Sequence, residues 1–415
     1  MPIKQSHNPR RKVESHADQF WEQIMRWLET ASPAPSGWAA LFRELQTLLA
    51  SLFADSEITQ RQHYFEKAMA PLRQRAVVSA SPLQEIDFHL QAGRAHENFG
   101  AWDQALAAYQ RAVELGTTHR LNPQKAEALR WSGNVHTEQG HWQPAEQAYH
   151  ESLQLCAQHG DTLGQAHAEN DLGGLFFEQG ELGQALTHWE KALELAERSN
   201  ANYLIAVIYN NLGALANVQG RGDKALSCYG ESLPRFEATG NIGGMASTYH
   251  NMAMNYADNG NWAEASIHYE KSYRLAQQLG DAHLQKLVKL NRVELCLAIG
   301  DTAMAEGLCR QALQMCQNMQ DHLGEVDADK FLGMINARKR AWKKAKAHFE
   351  KSIRAAQEFN YPLGEAEARW EYGRMLKQKG AAQNAAEQFE QALALFRKVN
   401  AMVEIEKVKK EISEV

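Results

Sequence analysis

The chain reads as an all-α protein, a right-handed superhelical solenoid of eight helical hairpins with an N-terminal helical bundle. Three observations predict this. One unit of 40 residues recurs eight times between residues 85 and 404 with no insertion or deletion. Within each unit the apolar positions keep helical spacing, and no stretch shows the alternation of a strand. Glycine or asparagine stands at fixed places in the unit, where a helix can end on a left-handed residue. A fixed period decides architecture before any local reading, because a repeat unable to bury its own apolar face must stack on its neighbours.

The second half of each unit carries Ala105, Ala145, Ala185, Ala225, Ala265, Ala305, Ala345 and Ala385. Four residues later come Tyr109, Tyr149, Trp189, Tyr229, Tyr269, Cys309, Phe349 and Phe389, and three beyond those a residue that is always Ala or Ser, from Ala112 to Ala392. Positions i, i+4 and i+7 share one helical face, so this half is an amphipathic helix that approaches its neighbours closely at both ends of the stripe. The first half repeats Gly93, Gly133, Gly173, Gly213, Ala253, Gly333 and Gly373, a register that Val293 breaks. Between the halves stands Gly100, Gly140, Gly180, Gly220, Gly260, Gly300 or Gly380, with Arg340 the exception. The second helix stops likewise at Gly160, Asn200, Gly240, Gly280, Asn360 and Asn400. Each unit is therefore a helical hairpin.

These residues resemble the tetratricopeptide repeat (TPR) family, whose pattern is an aromatic, Leu-Gly, an aromatic, Ala, an aromatic and Ala. The fourth unit supplies Tyr209, Leu212, Gly213, Ala225 and Tyr229, and the fifth Tyr249, Met252, Tyr256, Ala265 and Tyr269. The longer unit is similar to that of the extended subclass seen in spindle-orientation adaptors and Rap-type peptide-pheromone regulators. The family's closing proline is absent. The resemblance implies a binding protein without saying what is bound.

In chain order, residues 1–16 read as a disordered basic arm with Lys4, Arg10, Arg11 and Lys12. Over 17–80 three amphipathic helices are expected: one with Phe20, Ile24, Trp27 and Leu28, broken by Pro33 and Pro35; one from Trp38 to Phe53; and one with Tyr64, Phe65, Ala68, Met69 and Leu72. Two readings stand for this bundle. It caps the apolar end of the first repeat, or, by likeness of layout to the Rap-type regulators, it is an effector module. Residues 405–415 match the start of a ninth first helix, with Val408 and Ile412 inward, and read as the closing cap.

Composition excludes several classes. Hydrophobic residues are 44%, charged residues 23% and the net charge −6, the balance of a soluble globular protein. No apolar run reaches the ~18 residues of a membrane span. The five cysteines, Cys156, Cys228, Cys296, Cys309 and Cys316, lie on predicted helices without a Cys-x-x-Cys pair, and read as reduced core thiols of a cytoplasmic protein. No phosphate loop, His-Glu-x-x-His or Gly-x-Ser-x-Gly is present. His96 and His136 share a core-facing column. The expectation is a protein with no catalytic residue, no metal and no cofactor.

Function then falls to surface. The resemblance implies that first helices line a concave groove. The stripe facing it gathers ten acids, among them Asp171, Glu178 and Asp258, against Arg94, Arg338 and Arg374. Such a groove repels phosphates, so nucleic acid is disfavoured inside it, and a basic or neutral segment of a protein partner fits better. It also lacks the lysines of the family's carboxylate clamp, having Asp171 and Asn211 there. Asn211, Asn251 and Asn291 share one register in successive repeats, with Asn170 and Asn210 one residue off it. An amide both donates and accepts, so the ladder can pair with the main chain of an extended peptide. The alternative is that these amides bond to the neighbouring helix and stiffen the stack. Asn134, His167, His250 and Met254 complete the candidate peptide-binding set, with Val207, Val218, Leu287, Phe331 and Met334 as candidate apolar contacts. Arg338, Lys339, Arg340, Lys343, Lys344 and Lys346 form a separate basic cluster, read either as a solvated turn or as a dock for an acidic partner, an anionic surface or RNA.

Overall fold

Helix starts recur every 40 residues because the small, aromatic and turn columns do. The structure, a computed structural model, describes residues 21–29, 37–52, 58–78, 81–319, 321–399 and 401–414. The expected basic arm, with Phe20, Pro33, Pro35, Phe53 and Asn400, lies outside them. A helical stretch over 21–29 (α1) is followed by α2 (Gly37–Leu52) and α3 (Ile58–Val78). The first three hairpins are α4 (Pro82–Glu97) with α5 (Trp102–His119), α6 (Asn122–Glu138) with α7 (Trp142–Gln158), and α8 (Thr162–Glu178) with α9 (Leu182–Arg198). Next come α10 (Asn202–Val218) with α11 (Gly222–Ala238), α12 (Ile242–Asp258) with α13 (Trp262–Leu279), and α14 (Ala282–Ile299) with α15 (Thr302–Met319). The last are α16 (His322–Arg338) with α17 (Trp342–Glu358), α18 (Pro362–Gln378) with α19 (Ala382–Lys398), and a closing α20 (Met402–Ser413). The chain divides into two compact units, Met1–Asn211 and Leu212–Val415, with the boundary inside α10.

Each hairpin is held by the columns seen in the sequence. The eight alanines from Ala105 to Ala385 are fully buried, and so are the aromatic residues four positions on. A Cβ placed on Gly93, Gly133, Gly173, Gly213, Gly333 or Gly373 would lie 2.4–2.7 Å from the ring of Tyr109, Tyr149, Trp189, Tyr229, Phe349 or Phe389. The glycine is therefore a socket for the ring of its own hairpin. The sixth hairpin inverts the arrangement, with Val293 on the first helix and the small Cys309 on the second, both fully buried. A larger residue on one side is matched by a smaller one on the other, as a close-packed interior requires.

The turns behave as their residues dictate. The seven turn glycines have φ between 67° and 87°, and Arg340 takes φ 57° in the same place, where an L side chain is strained. Second helices end the same way at Gly160, Asn200, Gly240, Gly280 and Asn360, and at Arg120 in the first hairpin. Asp161, Asn241, Asp281 and Asp321 cap the first helices that follow them, each side chain accepting the amide of the residue three positions later at 2.6–2.9 Å.

Helices outside the eight hairpins pack against the first and the last of them. Trp38, Phe42, Leu45 and Phe65 of the N-terminal helices share a core with Phe88, Ala92 and Ala95 of α4, and the Trp38 and Phe88 rings meet edge to face at 4.9 Å. At the other end Ile405 and Val408 of α20 join the core of α18 and α19. Glu411 is half-buried, 3.1 Å from Arg374 Nε and 3.3 Å from Lys377 Nζ, so it ties α20 to α18 rather than facing outward.

Candidate functional site

Among the described residues, the first helices of successive hairpins touch most often through side chains 41 places apart, and elsewhere at 37 or 38. One repeat is 40 residues, so neighbouring helices are offset by one. Two adjacent columns result, and the candidate residues fall in or beside them.

In the first unit the contacts form one chain. Arg94 and Arg130 lie over the Trp131 ring, each 4.7 Å from its centre. Arg130 Nη1 donates to Asp171 Oδ2 at 2.8 Å, with both side chains nearly withdrawn from water. Asn170 Nδ2 donates to Asp171 Oδ1 at 3.0 Å, and Asn211 Nδ2 donates to Asn170 Oδ1 at 3.1 Å. The wall therefore runs continuously from α4 through α6 and α8 to Asn211 of α10. Asn134 is fixed by the Tyr149 hydroxyl, which donates to its Oδ1 at 2.7 Å. Burial, then the Arg130 charge, lowers His167 to about 4, so it is neutral near pH 7. Glu178 is exposed, yet burial by surrounding protein and the nearby Glu138 raise its carboxyl above the usual range. Asn210 is half-buried beside this wall.

The second unit repeats the plan with other residues. Asn291 Nδ2 meets His250 Nε2 at 3.3 Å, and Asn291 also bonds the Tyr269 hydroxyl. His250 is only 5% exposed, burial lowers it to about 4, and its Nδ1 has no hydrogen-bond partner among the described residues. Asn255 donates to Asn217 Oδ1 at 2.6 Å, and Asn217 donates to Asp258 Oδ2 at 3.1 Å. Lys330 pairs with Asp327 at 3.2 Å and with Glu367. Glu294 is exposed but hemmed in, and desolvation raises its carboxyl. Asn251 is half-buried, whereas Met254 and Val218 are 37% and 59% exposed. Phe331, expected as a surface contact, is buried in the core, and Leu287 and Met334 pack against that core.

The amides therefore engage the stack. Asn211 and Asn291 each bond the preceding first helix, and both stay half-buried. An amide has two donors and two lone pairs, so a single bond leaves Asn211 capacity for a further partner. Sequence reasoning missed Arg130, Lys330, Asn217 and Asn255. Arg130 and Lys330 each neutralise part of the acidic stripe from the adjoining column. The signal was available, since Arg130 and Asp171 are opposite charges 41 residues apart.

A family model described as "Tetratricopeptide repeat" matches residues 124–198 and 244–318, which are the second, third, fifth and sixth hairpins. No curated protein matches the sequence. Solved structures do match the fold. One is a signal-transduction ATPase with numerous domains carrying a tetratricopeptide repeat sensor, from Pyrococcus horikoshii, at 13% identity and a TM-score of 0.58, covering 98% of this chain and 68% of that one. Another is a Rap protein complexed with competence and sporulation factor, at 18% identity and 0.53, covering 92% and 100%. The apo form of RapI matches at 17% and 0.52, covering 66% and 99%. Fold and matches together show helical hairpins of the TPR type, similar in fold to the Rap structures.

Proposed function

We propose that this chain is a non-catalytic adaptor that holds an extended, basic or neutral segment of a partner protein against its first-helix walls. The observation that carries this is the make-up of those walls. They combine half-buried amides with acids such as Glu178 and Glu294, which stay accessible although protein surrounds them, and with the exposed apolar Met254 and Val218. A carboxylate already short of solvent gains from a Lys or Arg side chain more than one in open water does. Asn134, Asn170, Asn210, Asn211, Asn251 and Asn291 supply groups that pair with a main chain regardless of its side chains. Asp171 and Asp258 add charge, and His167 and His250 stay neutral at physiological pH. Stack and ligand share these amides, so the network Arg130–Asp171–Asn170–Asn211 pre-orients what the ligand meets, which lowers the ordering cost of binding. The double change Asn211→Ala and Asn251→Ala should weaken partner binding about tenfold or more while the protein stays folded by circular dichroism; unchanged affinity in the folded variant would remove the amides from the function.

A second reading follows from the shared core of α1–α3 with α4, and from a similar Rap structure being a complex with a factor. Here the chain is a peptide-sensing regulator whose ligand repositions the N-terminal helices. Small-angle scattering separates the readings, because only the regulator changes shape when its ligand binds.

A further inference from the structure

At the turn ends of the first helices, the turns of the seventh and eighth hairpins border a cleft lined by Ala337, Arg338, Arg340, Trp342, Gln378 and Lys379. We infer that this cleft is a second binding site, one that takes a multiply charged oxyanion, namely a phosphate group.

The argument starts from what the cleft lacks. Among the described residues three cations line it and no carboxylate does. Residues 338–346 hold six cations and no acid, in a chain of net charge −6. The cations at the edge of the cluster are paired, Lys339 with Glu306 and Lys346 with Glu350 at 3.5 Å. Arg338 donates to the Leu297 carbonyl, which carries no formal charge to offset its own. Arg340, Lys343, Lys344 and Lys379 have no salt bridge among the described residues. Like charges gathered without a counter-charge repel, so this turn carries a repulsive cost, kept small because the cations are exposed and solvent screens them.

Arg340 adds a second cost at the same place. Seven of the eight corresponding turns use glycine for the left-handed residue, whereas Arg340 adopts φ 57° with a full side chain. Glycine there would relieve both strain and repulsion. Two unfavourable local choices at one cleft, each removable by a common substitution, point to a retained guanidinium. Arg338 and Arg340 present planar N–H forks suited to phosphate oxygens, and Lys379 supplies a point charge from the facing turn. The first turn of α17 begins at Trp342, which lines the cleft, and has no side-chain cap. Glu306 and Glu350, paired with Lys339 and Lys346, set carboxylates beside the cluster, which suits one compact phosphate better than a nucleic-acid backbone.

Calorimetric titration of the full chain tests this with four probes: inorganic phosphate, pyrophosphate, a phosphoserine peptide with neutral flanks, and an oligouridine RNA. Phosphate-bearing probes should bind, more weakly as salt rises. Affinity should fall about tenfold or more in Arg340→Gly and in Lys379→Gln. Arg340→Gly installs the residue the other turns carry, so it leaves the fold intact, and an unchanged melting temperature in the same preparation confirms that. Similar affinity for pyrophosphate and the phosphopeptide identifies a free oxyanion as ligand; markedly tighter phosphopeptide binding identifies a modified partner segment. The inference is overturned if neither binds at millimolar concentration, if Arg340→Gly binds as well as the parent, or if only the RNA binds.

Discussion

At the scale of single residues, the buried histidines set a measurable pH response. Burial holds His250 at about 4, below its ordinary value of 6.5, and His89 and His167 are also lowered to about 4. The unfolded chain therefore takes up protons on these groups first as pH falls. Their contribution to stability is complete above about 6.5 and is lost progressively down to about 4. Replacing His250 with Gln should flatten the loss of stability between pH 7 and pH 5 by about 1–2 kcal/mol, read from urea unfolding at each pH. An identical pH slope in parent and variant would mean that His250 titrates normally and is not sealed in the wall. The same residue shows why the site was only partly legible in sequence. Its burial and its bond to Asn291 come from an offset of one residue between helices, which spacing within a single helix does not reveal.

At the scale of the hairpin, the governing fact is a volume exchange between two helices. Six glycines receive six rings, and the sixth hairpin trades the pair for Val293 and Cys309. Cys309→Tyr alone should overpack this hairpin and cost about 1–3 kcal/mol. Adding Val293→Gly should restore most of the loss, because the two positions share one space. Thermal melts of the two single variants and the double variant decide it, and additive effects would show that the two side chains do not meet. This scale was almost fully legible beforehand. The turns, the columns and the all-helical class could be read because each repeats eight times and each has a local physical cause, a left-handed residue or a close approach. The N-caps Asp161, Asn241, Asp281 and Asp321 were equally present in the sequence and went unread.

At the scale of the whole molecule, each unit builds a polar wall from first helices, and the wall serves both stack and surface. The sequence showed the acids and the amides but treated one column as the surface. The structure shows adjoining columns in contact, in which Arg130 and Lys330 offset acids of that stripe. What remains is an accessible acidic surface with amides at hand, and the central claim is that it receives an extended basic or neutral peptide. Selection of a randomised peptide display library against the purified chain tests this most directly, with Glu178→Lys plus Glu294→Lys as the counter-target. The account predicts enriched peptides rich in Lys and Arg between apolar residues, which lose binding to the charge-reversed protein. Enrichment of acidic peptides, or of peptides that bind both proteins equally, would contradict it.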